Sequence, residues 1–149
     1  MIRPIIPNEY KLFKDDPVRP HIPLEARMGE GKHVFVLHED QYAVEAPVLE
    51  EGPRAVICVA FTDQVPTCEN DLNTVGDKVA VFYTVWSYSK GAGREIVMDT
   101  AKHLKKEFPS LERFVTLSPL TKMAERFHLR NGATFLAQYD DCQNFEYNV

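Results

Sequence analysis

The sequence predicts an α/β fold, a mixed and mostly antiparallel sheet with a central parallel strand pair and flanking helices, in one domain over residues 1–149. Three observations predict it. First, HVFVLH from His33, AVICVAF from Ala55 and VAVFYTVW from Val79 are short runs rich in Val, Phe and Tyr, with no helical period between them. Buried strands of an antiparallel meander have this pattern. Second, the amphipathic segment GAGREIVMDTAKHLKKEF from Gly91 separates VAVFYTVW from another strand-like run, RFVTLS from Arg113. A helix joining two strands of one sheet is a crossover, and a crossover makes those strands parallel. Third, PLTKMAERFHLRNG repeats the helical spacing before a last strand, TFLAQY from Thr134.

In chain order, the Pro-rich opening RPIIPNEY and DDPVRPHIPLEARM reads as a strand or extended arm, a turn and one short helix around Leu24 to Met28. The segments EDQYAVEAPVLEEGPR and TDQVPTCENDLNTVGDK between the first three strands are long loops, a place where function concentrates. In the first long helix Val97, Ala101, Leu104 and Phe108 share a face away from Arg94, Lys102, Lys105 and Lys106, and Pro109 stands just past its end. In the second, Leu120, Met123 or Ala124, and Phe127 fall at helical spacing, and Lys122, Arg126 and Arg130 form a solvated face. Ser118-Pro119 reads as its N-cap and first-turn pair, and Asn131-Gly132 as its C-cap and turn.

Composition excludes several classes of function. A chain of 149 residues with 44% hydrophobic content builds its core without staples. Its three cysteines, Cys58, Cys68 and Cys142, are odd in number and lack CxxC spacing, so neither a disulfide framework nor a zinc site is expected, and Cys58 reads as a core residue. A net charge of −5 argues against sequence-independent nucleic-acid binding, although a local basic cluster can still hold one small polyanion. No apolar run approaches the ~20 residues that span a bilayer, and Met1 opens no leader peptide; the expected location is cytoplasmic.

The turn YSKGAGRE lies between an apolar strand and a helix, where free backbone N–H groups and the positive end of the helix dipole hold phosphate. Gly91 and Gly93, on either side of Ala92, allow close approach, and Lys90 and Arg94 add charge. Two glycines also suit any tight strand-to-helix turn.

The order of strand, Gly-x-Gly turn, helix, strand and then a helix ending AxxFxxxxGA resembles the N-acetyltransferase (GNAT) superfamily. In that family an Arg/Gln-x-x-Gly-x-Gly/Ala turn binds the pyrophosphate of coenzyme A; here Tyr88 stands in place of the Arg or Gln. The family's later helix commonly carries Phe-Tyr, with the Tyr as acid near the thioester sulfur, where this chain has Phe127-His128. A narrower resemblance, from Val56 to Ala133, is to the catalytic domain of the malonyl-CoA decarboxylases, which is GNAT-like. It rests on VAF…VP, AVFYTV, KKEFPSLERFVTLSPL and FHLRNGA. That resemblance implies catalytic roles for Ser118 and His128. It departs in one respect: the family has an additional helical domain and a much longer stretch between these two segments, whereas nine residues separate Ser118 from His128 here.

The resemblance implies a GNAT-like acyl-CoA-binding fold with a coenzyme A thioester, malonyl-CoA or acetyl-CoA, as substrate and no metal. The cofactor contacts expected are Tyr83, Thr84, Val85, Lys90, Gly91, Ala92, Gly93, Arg94 and Phe127. Decarboxylation leaves a thioester enolate, so it needs a donor for the oxyanion, from Ser118 or a strand N–H near Tyr83 to Val85, and a proton source or carboxylate partner in His128. Imidazole suits that role through a pKa of ~6.5. The alternatives are an N-acetyltransferase, with Glu39 or Asp63 as base for an amine, and a module that binds CoA without chemistry. The expected partner is a small-molecule acyl-CoA rather than nucleic acid or membrane, with a homodimer left open.

Overall fold

The structure, a computed structural model, describes residues 1–38 and 52–149. Glu39 and most of the first long loop lie outside the described residues.

Strands β1 (Ile2–Pro4), β2 (Lys32–Leu37), β3 (Ala55–Thr62) and β4 (Val79–Ser87) pair antiparallel in sequence order. Every residue of β3 is buried, so it reads as a continuous apolar run rather than an alternating one. Helix α2 (Ala92–Glu107) follows α1 (Leu24–Met28) in the chain and carries it across the sheet to β5 (Arg113–Thr116), which pairs with β4 in parallel as the crossover requires. Ile96, Val97, Thr100, Ala101 and Leu104 are buried along α2, and Phe108 closes it as a half-buried C-cap.

Two apolar layers sandwich the sheet. On one side Phe35, Ile57, Val59, Phe82 and Phe145 pack against α2. On the other Val34, Val56, Cys58, Tyr83 and Trp86 pack under Ile5, Phe13 and Leu72. Phe13 belongs to a 3₁₀ helix over Pro7–Asp15 and Leu72 to another over Glu69–Asn73. No helix among the described residues is long and apolar enough to cross a membrane.

Two expectations about the C-terminal third need correction. Ser118-Pro119 does not cap the second helix. It forms β6 (Ser118–Pro119), paired with Gln143 and Cys142, while α3 (Lys122–Arg130) is capped by Thr121, whose Oγ1 accepts from the Ala124 amide at 3.1 Å. Nor is TFLAQY the last strand. After β7 (Thr134–Gln138) comes β8 (Cys142–Tyr147), with β5 and β6 in line on one edge and β7 on the other. Buried Gln143 and Asn144 give β8 a polar sequence; their amide nitrogens donate to the carbonyls of Pro119, Thr116 and Pro66, while Asn144 Oδ1 has no partner among the described residues.

Candidate active site

The parallel pair opens into a fork. β4 and β5 run in register from Val79–Arg113 to Phe82–Thr116, and the Leu117 amide makes one further bond to the Phe82 carbonyl at 3.1 Å. On its other edge β4 keeps pairing with β3 as far as Ser87, with Tyr83 as an extra bulge residue between the Phe82–Val59 and Thr84–Cys58 pairs. A bulge bends its strand. β6 meanwhile stays with β8, so Thr84, Val85, Trp86 and Ser87 line one wall of a cleft without a β5 partner.

The predicted phosphate turn lies at the open end of this wall. Gly91 has φ +81 and is the N-cap of α2, with no side chain capping the helix and no atom within 4 Å of where a Cβ would stand. Helix geometry leaves the Gly93 and Arg94 amides of the first turn without intrahelical acceptors. Lys90, Gly91 and Arg94 are exposed, while Ala92 is buried beneath them. Gly93 has a packing role: a Cβ there would lie 3.2 Å from Cε1 of Phe127, so its bareness lets α3 dock on the start of α2.

Tyr88 does not reach toward the turn. Its hydroxyl accepts from Trp86 Nε1 at 2.9 Å and donates to Asp15 at 2.7 Å, which ties the end of β4 to the N-terminal 3₁₀ helix. Burial and that carboxylate push the Tyr88 phenol up to about 12. A cation stands beside the turn instead in Arg54, bonded to Ser89 Oγ at 3.2 Å and Glu95 Oε1 at 3.3 Å; the sequence had not singled it out.

His128 lies on the inner face of α3, buried between Phe127, Phe145 and Tyr147, with Nδ1 2.7 Å from the Tyr147 hydroxyl. Burial pushes its pKa down to about 4, so the ring is neutral at neutral pH and the ordinary imidazole value does not apply. Arg94 of the turn donates to Asn131 Oδ1 at 3.4 Å, and the buried Asn131 Nδ2 has no hydrogen-bond partner among the described residues. In a neutral imidazole one nitrogen donates and the other accepts, so with the hydrogen on Nε2 the ring accepts the Tyr147 proton at Nδ1.

Ser118 is buried, and its hydroxyl donates to Thr116 Oγ1 at 2.8 Å, which also accepts from the Phe145 amide at 3.0 Å. Ser118 and His128 therefore flank Phe145 and do not bond to each other. Their strand partners, Gln143 and Tyr147, are four residues apart on β8, about 13 Å at ~3.3 Å per residue. Of the two expected bases, Asp63 follows β3 at the closed end of the parallel pair, away from the fork, and Glu39 lies outside the described residues. Tyr147 and Arg54 carry no motif and Asn131 reads in the sequence only as a helix C-cap; what connects them to the site is contacts distant in sequence.

No family model and no curated protein matches the sequence. Solved structures do match its fold. Malonyl-CoA decarboxylase from Agrobacterium vitis superposes with a TM-score of 0.66 at 23% identity, covering 85% of this chain and 35% of that one. An acetyltransferase from Bacillus subtilis in complex with CoA gives 0.59 at 12% identity, covering 98% and 93%. The GNAT domain of S. lividans PAT gives 0.61 at 10% identity, covering 99% and 89%. The chain thus has the GNAT-like fold its sequence resembles, and it spans about a third of the length of the decarboxylase it matches.

Proposed function

We propose that this chain binds an acyl-CoA thioester along the fork between β4 and β5 and decarboxylates a malonyl group there. The observation that carries the reading is the fork itself: an unpaired strand edge that runs from Thr84 to the open Gly91–Gly93 turn. A pyrophosphate sits on the turn, with Lys90 and Arg94 beside it, and the pantetheine amides bond to the free edge at Thr84 and Val85. Phe127 packs at the turn, and Tyr83 marks the inner end.

In the reaction the bond between the carboxylate carbon and the methylene carbon breaks, CO2 leaves, and the electron pair passes into the thioester as an enolate. His128, neutral and with its hydrogen on Nε2, donates to the enolate oxygen; a proton from solvent then completes the methyl group. This role needs no imidazolium. Ser118 acts from the inner end of the fork, where turning its hydroxyl from Thr116 toward ligand costs one hydrogen bond, ~1 kcal/mol.

Acetyl transfer to an amine is the second reading, favoured by the near full-length match to acetyltransferases. Product analysis separates the two. Acetyl-CoA and CO2 formed from malonyl-CoA alone support decarboxylation; free CoA released from acetyl-CoA only with an added amine supports transfer; turnover of neither removes both.

A further inference from the structure

The fork holds a buried cation with an exchangeable counter-ion. Arg19 is 6% exposed, and its guanidinium donates to the Tyr83 carbonyl, the bulge position where β4 leaves β5, at 2.5 Å. The main chain of Arg19 is fixed from both sides: its amide donates to Asp16 Oδ1 at 2.8 Å, and its carbonyl accepts from Arg27 at 2.6 Å. Asp16 and Arg27 are themselves a fully buried pair at 2.9 Å, each already matched in charge. The carboxylate bonded to the Arg19 guanidinium therefore comes from elsewhere. It is Glu69, at 3.0 Å, whose side chain is 43% exposed on the short 3₁₀ helix of the β3–β4 loop. Glu69 is shared with His21, which is 61% exposed.

A buried guanidinium whose ion-pair partner among the described residues comes from an exposed loop can exchange that carboxylate for another, since Glu69 returns to water and to His21. Resting on the acyl-CoA reading of the fork, we propose that Arg19 is a specificity site for the free carboxylate of a short dicarboxylic acyl group, and that Glu69 holds the place of that carboxylate until ligand displaces it. From Tyr83 to Ser87 the wall runs four residues, about 13 Å at ~3.3 Å per residue, so Arg19 stands at the far end of the cleft from the phosphate turn. The contact has a kinetic signature. A guanidinium holds the carboxylate in the bound substrate and loses its charged partner as CO2 departs, so it binds the ground state more tightly than the transition state, and its removal raises KM without lowering kcat.

The test compares malonyl-CoA with propionyl-CoA, in which a methyl replaces the carboxylate, by stopped-flow binding before turnover with the single Trp86 as reporter. The wild-type chain is expected to favour malonyl-CoA roughly tenfold or more, as a charge-assisted hydrogen bond provides. Arg19→Gln should erase the preference and raise KM without lowering kcat, and Glu69→Gln should enlarge the preference. If Arg19→Gln fails to fold, the exposed Glu69→Gln decides alone. Equal affinities for the two thioesters, or a preference untouched by Glu69→Gln, overturn the proposal and leave the acyl-CoA reading standing. Binding of neither thioester overturns both.

Discussion

Acidification should destabilise this protein through His128 in a calculable way. The unfolded chain takes up a proton on this ring near pH 6.5, whereas the folded chain, with the ring buried, resists until about 4. Between these values the unfolded state binds the extra proton, so stability falls as pH falls through the window and is unaffected above it. The full penalty is about 3 kcal/mol, at about 1.4 kcal/mol per pKa unit, and about 2 kcal/mol of it accrues between about pH 7.5 and pH 5. Urea denaturation at those two pH values, on the wild type and on His128→Gln, measures it. His33 and His38 are also lowered by burial, but they remain in both proteins and cancel in the comparison. The wild type should lose about 2 kcal/mol more than the variant. Equal losses would show that His128 titrates normally and would remove the basis for a neutral Nε2–H donor.

Other expected outcomes concern the turn, the helix cap and the two candidate catalytic residues. Gly91→Glu should abolish measurable CoA binding by calorimetry, since it adds bulk and negative charge at the phosphate position, while the cost of φ +81 stays at ~1–2 kcal/mol in melting experiments. Undiminished affinity in a folded variant would place the coenzyme elsewhere. Thr121→Ala should lower stability by about 1 kcal/mol as the true cap of α3 and leave CoA binding alone. His128→Gln should cut malonyl-CoA turnover by ~10²–10³-fold as an oxyanion donor is lost. Ser118→Ala should likewise reduce turnover, and a stability loss of about 1 kcal/mol with full activity would reduce Ser118 to its bond with Thr116.

What could be read in advance depended on how local its cause was. The meander, α2 and the parallel pair were legible because Val, Ile and Phe periodicity is a local record of burial, and Gly91 because a left-handed turn residue stands out in sequence. Ser118-Pro119 misled for the same reason. As a local pattern it fits a helix start, but pairing with Gln143 and Cys142, more than twenty residues on, decides its conformation. β8 is not legible in the sequence because its buried positions include Gln143 and Asn144, whose amide nitrogens donate to distant carbonyls instead of showing apolar alternation. Arg19 lay in a Pro-rich stretch that reads as punctuation, and only the fold carries its guanidinium to Tyr83. The resemblance in FHLRNGA pointed to His128; that the ring is neutral follows from Phe145 and Tyr147, which lie beyond the motif.

A crystal structure with bound CoA tests most directly whether the fork between β4 and β5 is the acyl-CoA site. The pyrophosphate should lie on the Gly91–Gly93 amides, the pantetheine should bond to the β4 edge at Thr84 and Val85, and the sulfur should come within reach of His128. Coenzyme bound anywhere else, or a cleft closed by direct pairing of β4 with β6, would contradict this assignment.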